Sequence, residues 1–291
     1  MDMIELPEAI TIAQQIDSEL KGKEISSGIS GQTPHKFAFF DKKIPHTEFA
    51  KIIQGKVMGN SRAHGMAILT DLDPDYMLSL GCGGERIRYH TSEKTLPKKH
   101  QLKLDFHDDT FLTVTVSGWG EVRLLKAYDF LNHPHLRHKA ISPLNKKFTF
   151  DYFNGLFDTL PKDKRTQKTS AKYFIISKPG VYGVGNGCLH DILFHARIHP
   201  KRQMLDLSTM ERKTLYQSIQ ETLSEMVKLG GRESEYDLFN QRGGYKLILH
   251  SRVVGQPCPE CGGTIQKIAY LGGSSYFCSS CQKEEWDTSQ Y

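Results

Sequence analysis

Met3-Ile4-Glu5-Leu6-Pro7-Glu8 is the stretch whose reading decides the fold. Two carboxylates lie three residues apart and straddle a proline. Pro7 in the first turn of a helix costs nothing, because its missing N–H would be unpaired there anyway. Glu8 then sits in that first turn and Glu5 just before it, where the positive helix end favours acids. Two readings stay open: helix capping, or a general acid/base pair. Ala9, Ile10, Ile12, Ala13, Ile16 and Leu20 continue one broad apolar face, which predicts a helix over 7–20.

The 291 residues allow two ordinary domains or one large one, and 38% apolar with 24% charged residues fits a soluble protein with real cores. No apolar run approaches the ~18 residues of a membrane span. No basic segment followed by an apolar core marks a signal peptide, so a cytoplasmic protein is expected. The net charge of +5 is mild, but nine Lys or Arg against three acids fall between His133 and Lys172. That seam, which includes Lys168, is either a solvated surface or a face toward a polyanion.

From about Glu24 to Leu125 the pattern is mostly β. Short alternating runs cover 36–40, 67–69, 76–80, 102–106 and 111–116, with turns at 71–75 and 107–110. A short helix over 48–54, capped by Thr47, interrupts them. This spacing predicts a sandwich or barrel. After Phe130 the chain turns polar and basic, then helical. Thr149 is placed to cap one helix, and a helix is expected over 187–197. Ser208-Thr209-Met210-Glu211 forms a capping box for a long amphipathic helix that Gly230-Gly231 closes. The expected layout is a β domain over 1–132, a linker over 133–148, a helical domain over 149–254 and a small unit over 255–291.

The small unit carries the most specific signal. Cys258 and Cys261 form one CxxC pair, Cys278 and Cys281 another, sixteen residues apart. In an intracellular chain this spacing points to one structural Zn2+ held by four thiolates. Four thiolates leave no open position for catalysis. The segment between alternates as a hairpin with Gly272-Gly273 at its tip. Cys82 and Cys188 stand alone and read as small buried hydrophobes.

Gly183-Val184-Gly185-Asn186-Gly187 opens a helix. Close glycines let backbone approach a ligand, and free N–H groups at a helix start attract phosphate. Asn186 can cap the helix or reach that phosphate. No strand–helix–strand unit surrounds it, so it does not read as a dinucleotide site.

These features occur in one order: Glu5-Leu6-Pro7-Glu8, a β domain, a basic linker, Gly183-Val184-Gly185-Asn186, Leu193 through Pro200, and Cys278-Ser279-Ser280-Cys281-Gln282. In that order they resemble the formamidopyrimidine-DNA glycosylase / endonuclease VIII (Fpg/Nei) family over nearly the whole chain. The resemblance implies an α+β fold: an N-terminal β-sandwich, a helical helix–two-turns–helix domain and a C-terminal zinc β-hairpin. It implies a monomer gripping duplex DNA with a lesion or abasic site, the damaged base flipped out for reaction. Members attack the sugar with an N-terminal proline amine, and the following glutamate handles protons. The family's phosphate-binding asparagine matches Asn186, beside Gly185.

The chain departs from that pattern at four places. Ile4 stands at the nucleophile position and offers an ordinary amide. His64-Gly65-Met66 aligns with a segment whose lysine is here Met66. Gly273 replaces a phosphate-gripping arginine. Cys82 and the Ser117-Gly118-Trp119-Gly120 loop replace the residues that fill the void behind a flipped base, although Trp119 can wedge between bases or sit in the sandwich core. The expectation is a DNA-repair N-glycosylase with a weak or absent lyase step, with Glu5 and Glu8 as the catalytic pair and Asn186, Gly185, Trp119, His64 and Lys168 facing DNA. The alternatives are a non-enzymatic damaged-DNA-binding protein on the same scaffold and a purely structural role.

Overall fold

The computed structural model describes residues 3–31, 38–39, 44, 46–118, 120–132, 140–161 and 169–284. They divide into two compact units: residues up to 140 with 226–245, and residues 141–225 with 246 onward. Residues 226–245, expected to continue the helical region, thus group with the β domain. Trp119, Lys168 and most of the basic seam lie outside the described residues.

In the first unit, helix α1 (Leu6–Leu20) starts where Pro7 and the two glutamates place it. Glu8 accepts the Glu5 backbone N–H at 3.1 Å, half of a reciprocal capping box. Ile12, Ala13, Ile16 and Leu20 are buried along one face, as their spacing requires. The strands follow as β1 (Ile25–Ser30), β2 (Ala38–Phe39), β3 (Val57–His64), β4 (Ala67–Asp73), β5 (Tyr76–Gly81), β6 (Glu85–His90), β7 (Leu102–Phe106), β8 (Phe111–Val116) and β9 (Gly120–Lys126). Helix α2 (His46–Ile53) begins one residue before Thr47, so Thr47 lies inside it rather than capping it.

Two sheets form, in the orders β2-β9-β5-β4-β3 and β1-β7-β8-β6. Alternate residues of both point into one core: Ile68, Leu78 and Val122 from the first sheet, Ile87, Leu104 and Val114 from the second. Side chains alternate across a strand, so one face of each sheet supplies this core. Helix α1 packs on β3 and β4 and adds Ile12 and Ile16 to the same cluster. This packing fixes the helix start, and therefore Glu5 and Glu8, relative to the β5–β6 turn.

The second unit holds α3 (Phe150–Gly155), α4 (Ala171–Ile176), α5 (Asn186–His195) and most of α6 (Thr209–Lys228). Thr149 caps α3 by accepting the Tyr152 N–H. The box at Ser208 is formed: Glu211 accepts the Ser208 N–H at 2.7 Å and Ser208 Oγ accepts the Glu211 N–H at 3.2 Å. Phe148, Phe153, Phe157, Phe174 and Tyr216 form the aromatic core of this unit. Strands β10 (Ile265–Tyr270) and β11 (Gly273–Cys278) pair as the terminal hairpin. Its tip is Leu271-Gly272, one residue earlier than the sequence pattern suggested, and both residues take positive φ.

Candidate functional site

The α1 start is closed by a residue far along the chain. Arg232, with Glu5 and Glu8, is almost wholly buried. Its Nε donates to Glu8 Oε1 at 3.0 Å and its Nη2 to Glu8 Oε2 at 2.7 Å. Its Nη1 reaches Glu5 Oε1 at 3.2 Å, and Nη2 also bonds the Met3 carbonyl at 2.7 Å. The Arg232 backbone N–H adds a bond to Glu8 Oε1 at 2.9 Å. Each Glu8 oxygen therefore accepts two protein donors, which fills its acceptor capacity.

Local sequence explains how Arg232 arrives there. Gly230 and Gly231 end α6 with φ of 74° and 100°, conformations that glycine adopts freely. A Cβ on Gly231 would stand 3.2 Å from Glu8 Oε1. Glycine lets the backbone pass close enough for the next residue to turn inward.

Ile4 lies beside this cluster. Its side chain is buried in the sandwich core, and its N–H donates to the Gly83 carbonyl at 2.9 Å. Gly83 in turn gives its own N–H to Glu85 Oε2 at 2.8 Å. Glu85 also accepts the Glu121 N–H. Burial pushes the Glu85 carboxyl up to about 7, against the pull of these backbone donors. Burial also raises Glu121, opposed by Arg123, whose Nε lies 3.3 Å away. The Cys82 thiol is half-buried with φ of 74°, and it is pushed up by burial and then by Glu121 and Glu85. His64 ends β3 opposite Ala67, half-buried beside Gly65 and Met66.

In the second unit the glycine-rich turn meets the terminal hairpin. Gly185, in extended backbone, is the N-cap of α5, and Asn186 is its first residue. The capping role for Asn186 is therefore corrected: the helix begins one position too early for it. Asn186 Nδ2 donates instead to the Ser274 carbonyl at 3.1 Å, while its buried Oδ1 has no hydrogen-bond partner among the described residues. His190 Nε2 lies 3.2 Å from the same carbonyl. Lys172, part of the basic seam, is buried rather than solvated. Its Nζ donates to the Tyr270 carbonyl at 2.8 Å and to Ser275 Oγ at 3.1 Å, and burial lowers its pKa. A Cβ on Gly273 would stand 3.7 Å from Lys172 Nζ. Lys172 and Arg232 both escaped sequence reasoning as site residues. The first was one of nine basic residues, and the second followed an ordinary helix stop.

The four cysteines converge. All four sulfurs lie within 4.8 Å of one another. The Cys261–Cys278 and Cys258–Cys281 sulfurs are 3.5 Å and 3.8 Å apart. Four thiolates around a tetrahedral Zn2+ with bonds of about 2.3 Å would stand about 3.8 Å apart, so the donor set fits a structural zinc. Gly263 and Cys281 backbone N–H groups point at Cys261 and Cys278 sulfurs at 3.4 Å each, which suits thiolates. Gln282 anchors the site, accepting the Cys278 N–H and donating to the Ile198 carbonyl. The buried Asp191 accepts the Ile248 and Leu249 N–H groups at 2.9 Å each and seats the entry to the hairpin on α5.

The chain thus combines two β-sheets, a capped N-terminal helix, a glycine-opened helix and a hairpin whose four cysteines fit a structural zinc. Three family models match in order: the formamidopyrimidine-DNA glycosylase N-terminal domain over 3–116, its H2TH domain over 140–237, and the zinc finger found in FPG and IleRS over 255–283. The chain belongs to the formamidopyrimidine-DNA glycosylase family. It is 28% identical to the enzyme of that name from Bacillus licheniformis, over 97% of this chain and all of the relative. It is 29% identical to that from Desulforamulus reducens, over 97% and 99%. Among solved structures it superposes on Lactococcus lactis Fpg in complex with abasic-site DNA, with a TM-score of 0.80, 23% identity, and coverage of 96% and 99%. The same protein as a mutant with Fapy-dG DNA gives 0.81 at 23% identity, with coverage again of 96% and 99%. No described helix is long and apolar enough to cross a membrane.

Proposed function

We propose that this protein binds duplex DNA carrying a lesion or an abasic site, in base-excision repair, without the amine-dependent step that nicks the strand. The observation that carries this is Ile4: a buried side chain with its amide N–H held by Gly83, at the position where a reactive amine is expected. An amide nitrogen has no lone pair for attack on a sugar carbon. Family membership and relatives matched over their full length support DNA as the ligand. Asn186 and Gly185 are assigned to the DNA backbone, with His64, Trp119 and Lys168 as further DNA-facing residues. Glu8 is assigned a structural role, because its oxygens are taken by Arg232 and the Glu5 N–H.

A panel of duplexes tests this: intact, tetrahydrofuran-containing, true abasic, formamidopyrimidine and oxidised-pyrimidine. Binding, base loss and nicking are scored separately. Salt-sensitive binding that favours the damaged duplexes, with no nicking, is the expected result. Equal affinity for all duplexes, or none, would remove the reading.

A second reading is hydrolytic base removal through Glu5. The place of Glu5 directly after Ile4, at the N-cap of α1, favours it. Base loss without nicking, abolished by Glu5→Gln, would establish it.

A further inference from the structure

We propose that Arg232 is a positioning residue that decides whether this site turns over: by gripping Glu5 and Glu8 together, it withholds Glu5 from substrate and leaves a site that binds. The proposal rests on the DNA-binding reading above and deepens it.

A guanidinium is a planar fork of five N–H donors, so one side chain can hold two carboxylates and a carbonyl in fixed geometry. Arg232 does this with Nε, Nη1 and Nη2, reaching Glu8, Glu5 and the Met3 carbonyl. Glu5 is 1% exposed and Arg232 2%, so water does not compete for these bonds. A carboxylate bonded to a buried cation is a poorer proton acceptor than a free one. The grip also fixes the backbone, because the Met3 carbonyl is held on the residue preceding Ile4. The segment carrying Arg232 is itself pinned to the first unit. Leu238 is fully buried in the sandwich core, its N–H bonds Gln15 on α1 at 3.0 Å, and its carbonyl accepts the Tyr89 N–H at 2.9 Å. Arg232 therefore has little freedom to swing away.

Glu5 also caps α1 by accepting the Glu8 N–H; loosening the Arg232 grip would remove its bond to the guanidinium and leave it able to take a proton. Water would then add to the sugar carbon C1′ while the C1′–N bond breaks. The electron pair leaves on the base, and Glu5 takes the proton from water and passes it to the departing base, which returns Glu5 to its carboxylate form. No oxidant, reductant or amine is required.

Arg232→Lys is the test variant. It keeps the buried positive charge but replaces the planar bidentate fork with a single ammonium. Base release is measured on the formamidopyrimidine and oxidised-pyrimidine duplexes, with folding checked by circular dichroism and binding on the tetrahydrofuran duplex. Arg232→Thr combined with Glu8→Gln is the second variant, because it removes the grip while leaving only one buried carboxylate. The wild type is expected to bind without measurable base release. At least one folded variant is expected to raise release tenfold or more, and adding Glu5→Gln should abolish the gain. A purely structural role for Arg232 would lower stability and leave release unchanged. Folded, DNA-binding variants as inactive as the wild type would overturn the proposal and leave the DNA-binding reading intact. So would a wild type that already turns over and is slowed by Arg232→Lys, or variants that all fail to fold. Failure of the wild type to bind any damaged duplex would instead strike the reading beneath it.

Discussion

Arg232 engages both carboxylate oxygens of Glu8 from 224 positions away in the chain, at 3.0 and 2.7 Å, and its backbone N–H adds a third bond at 2.9 Å. All of these atoms are buried, so the contact is part of the core and not a surface ion pair.

Removing one partner of such a cluster strands a charge. Arg232→Met leaves Glu5 and Glu8 buried without a cation, and the expected loss is about 3–5 kcal/mol. Glu8→Gln in the same background restores part of it, because one stranded charge is gone. Denaturant unfolding of the two single variants and the double variant measures the coupling. Additive losses would mean that the two residues act independently.

Glu85 sets a pH dependence of opposite sign to most carboxylates. Its folded pKa of about 7 lies above the ordinary value of 4.5, so its stabilising contribution is fully present below pH 4.5 and is lost as pH rises through 7. His90, lowered to about 4 by burial between Thr95 and Thr113, works the other way, because its contribution falls as pH drops from 6.5 toward 4. Comparing wild type with Glu85→Gln cancels the histidine. Between pH 5 and 7 the wild type should lose on the order of 2–3 kcal/mol relative to the variant. Parallel stability curves would contradict this.

The zinc hairpin should depend on its metal. Its core is small: Ile265, Cys258 and Cys278 with Phe194 and Leu249. Too little apolar surface is buried there to hold the hairpin alone. Chelation is expected to release one zinc per chain, expose four titratable thiols and abolish binding to the tetrahydrofuran duplex. Unchanged binding after complete metal loss would separate the finger from DNA recognition.

Lys172 and Asn186 meet the hairpin at the Tyr270 and Ser274 carbonyls and the Ser275 hydroxyl. Lys172 anchors the hairpin, so under the proposed function Lys172→Met should weaken DNA binding about tenfold with the salt slope unchanged. A slope lowered by roughly one ion would instead place the Lys172 ammonium on a phosphate.

Much of the molecule was legible in its sequence because the signals were local. Pro7 and its flanking acids marked the start of α1, and Ser208 with Glu211 marked α6. The cysteine spacing marked the metal. The misread residues depended on distant partners or on a one-residue shift. Asn186 looked like a cap until Gly185 took that position and the hairpin supplied Ser274 as its partner. Arg232 followed two glycines that end a helix, and nothing local showed that the chain turns back onto α1. Lys172 counted as one charge in a basic stretch, whereas burial on the hairpin sets its behaviour.

The central claim is that Ile4 replaces the reactive amine. Borohydride trapping on a true abasic duplex tests it most directly. The expected result is stable binding with no covalent protein–DNA adduct at the N-terminus, confirmed by peptide mapping. Efficient trapping with the adduct mapped to the N-terminal residues would contradict the account.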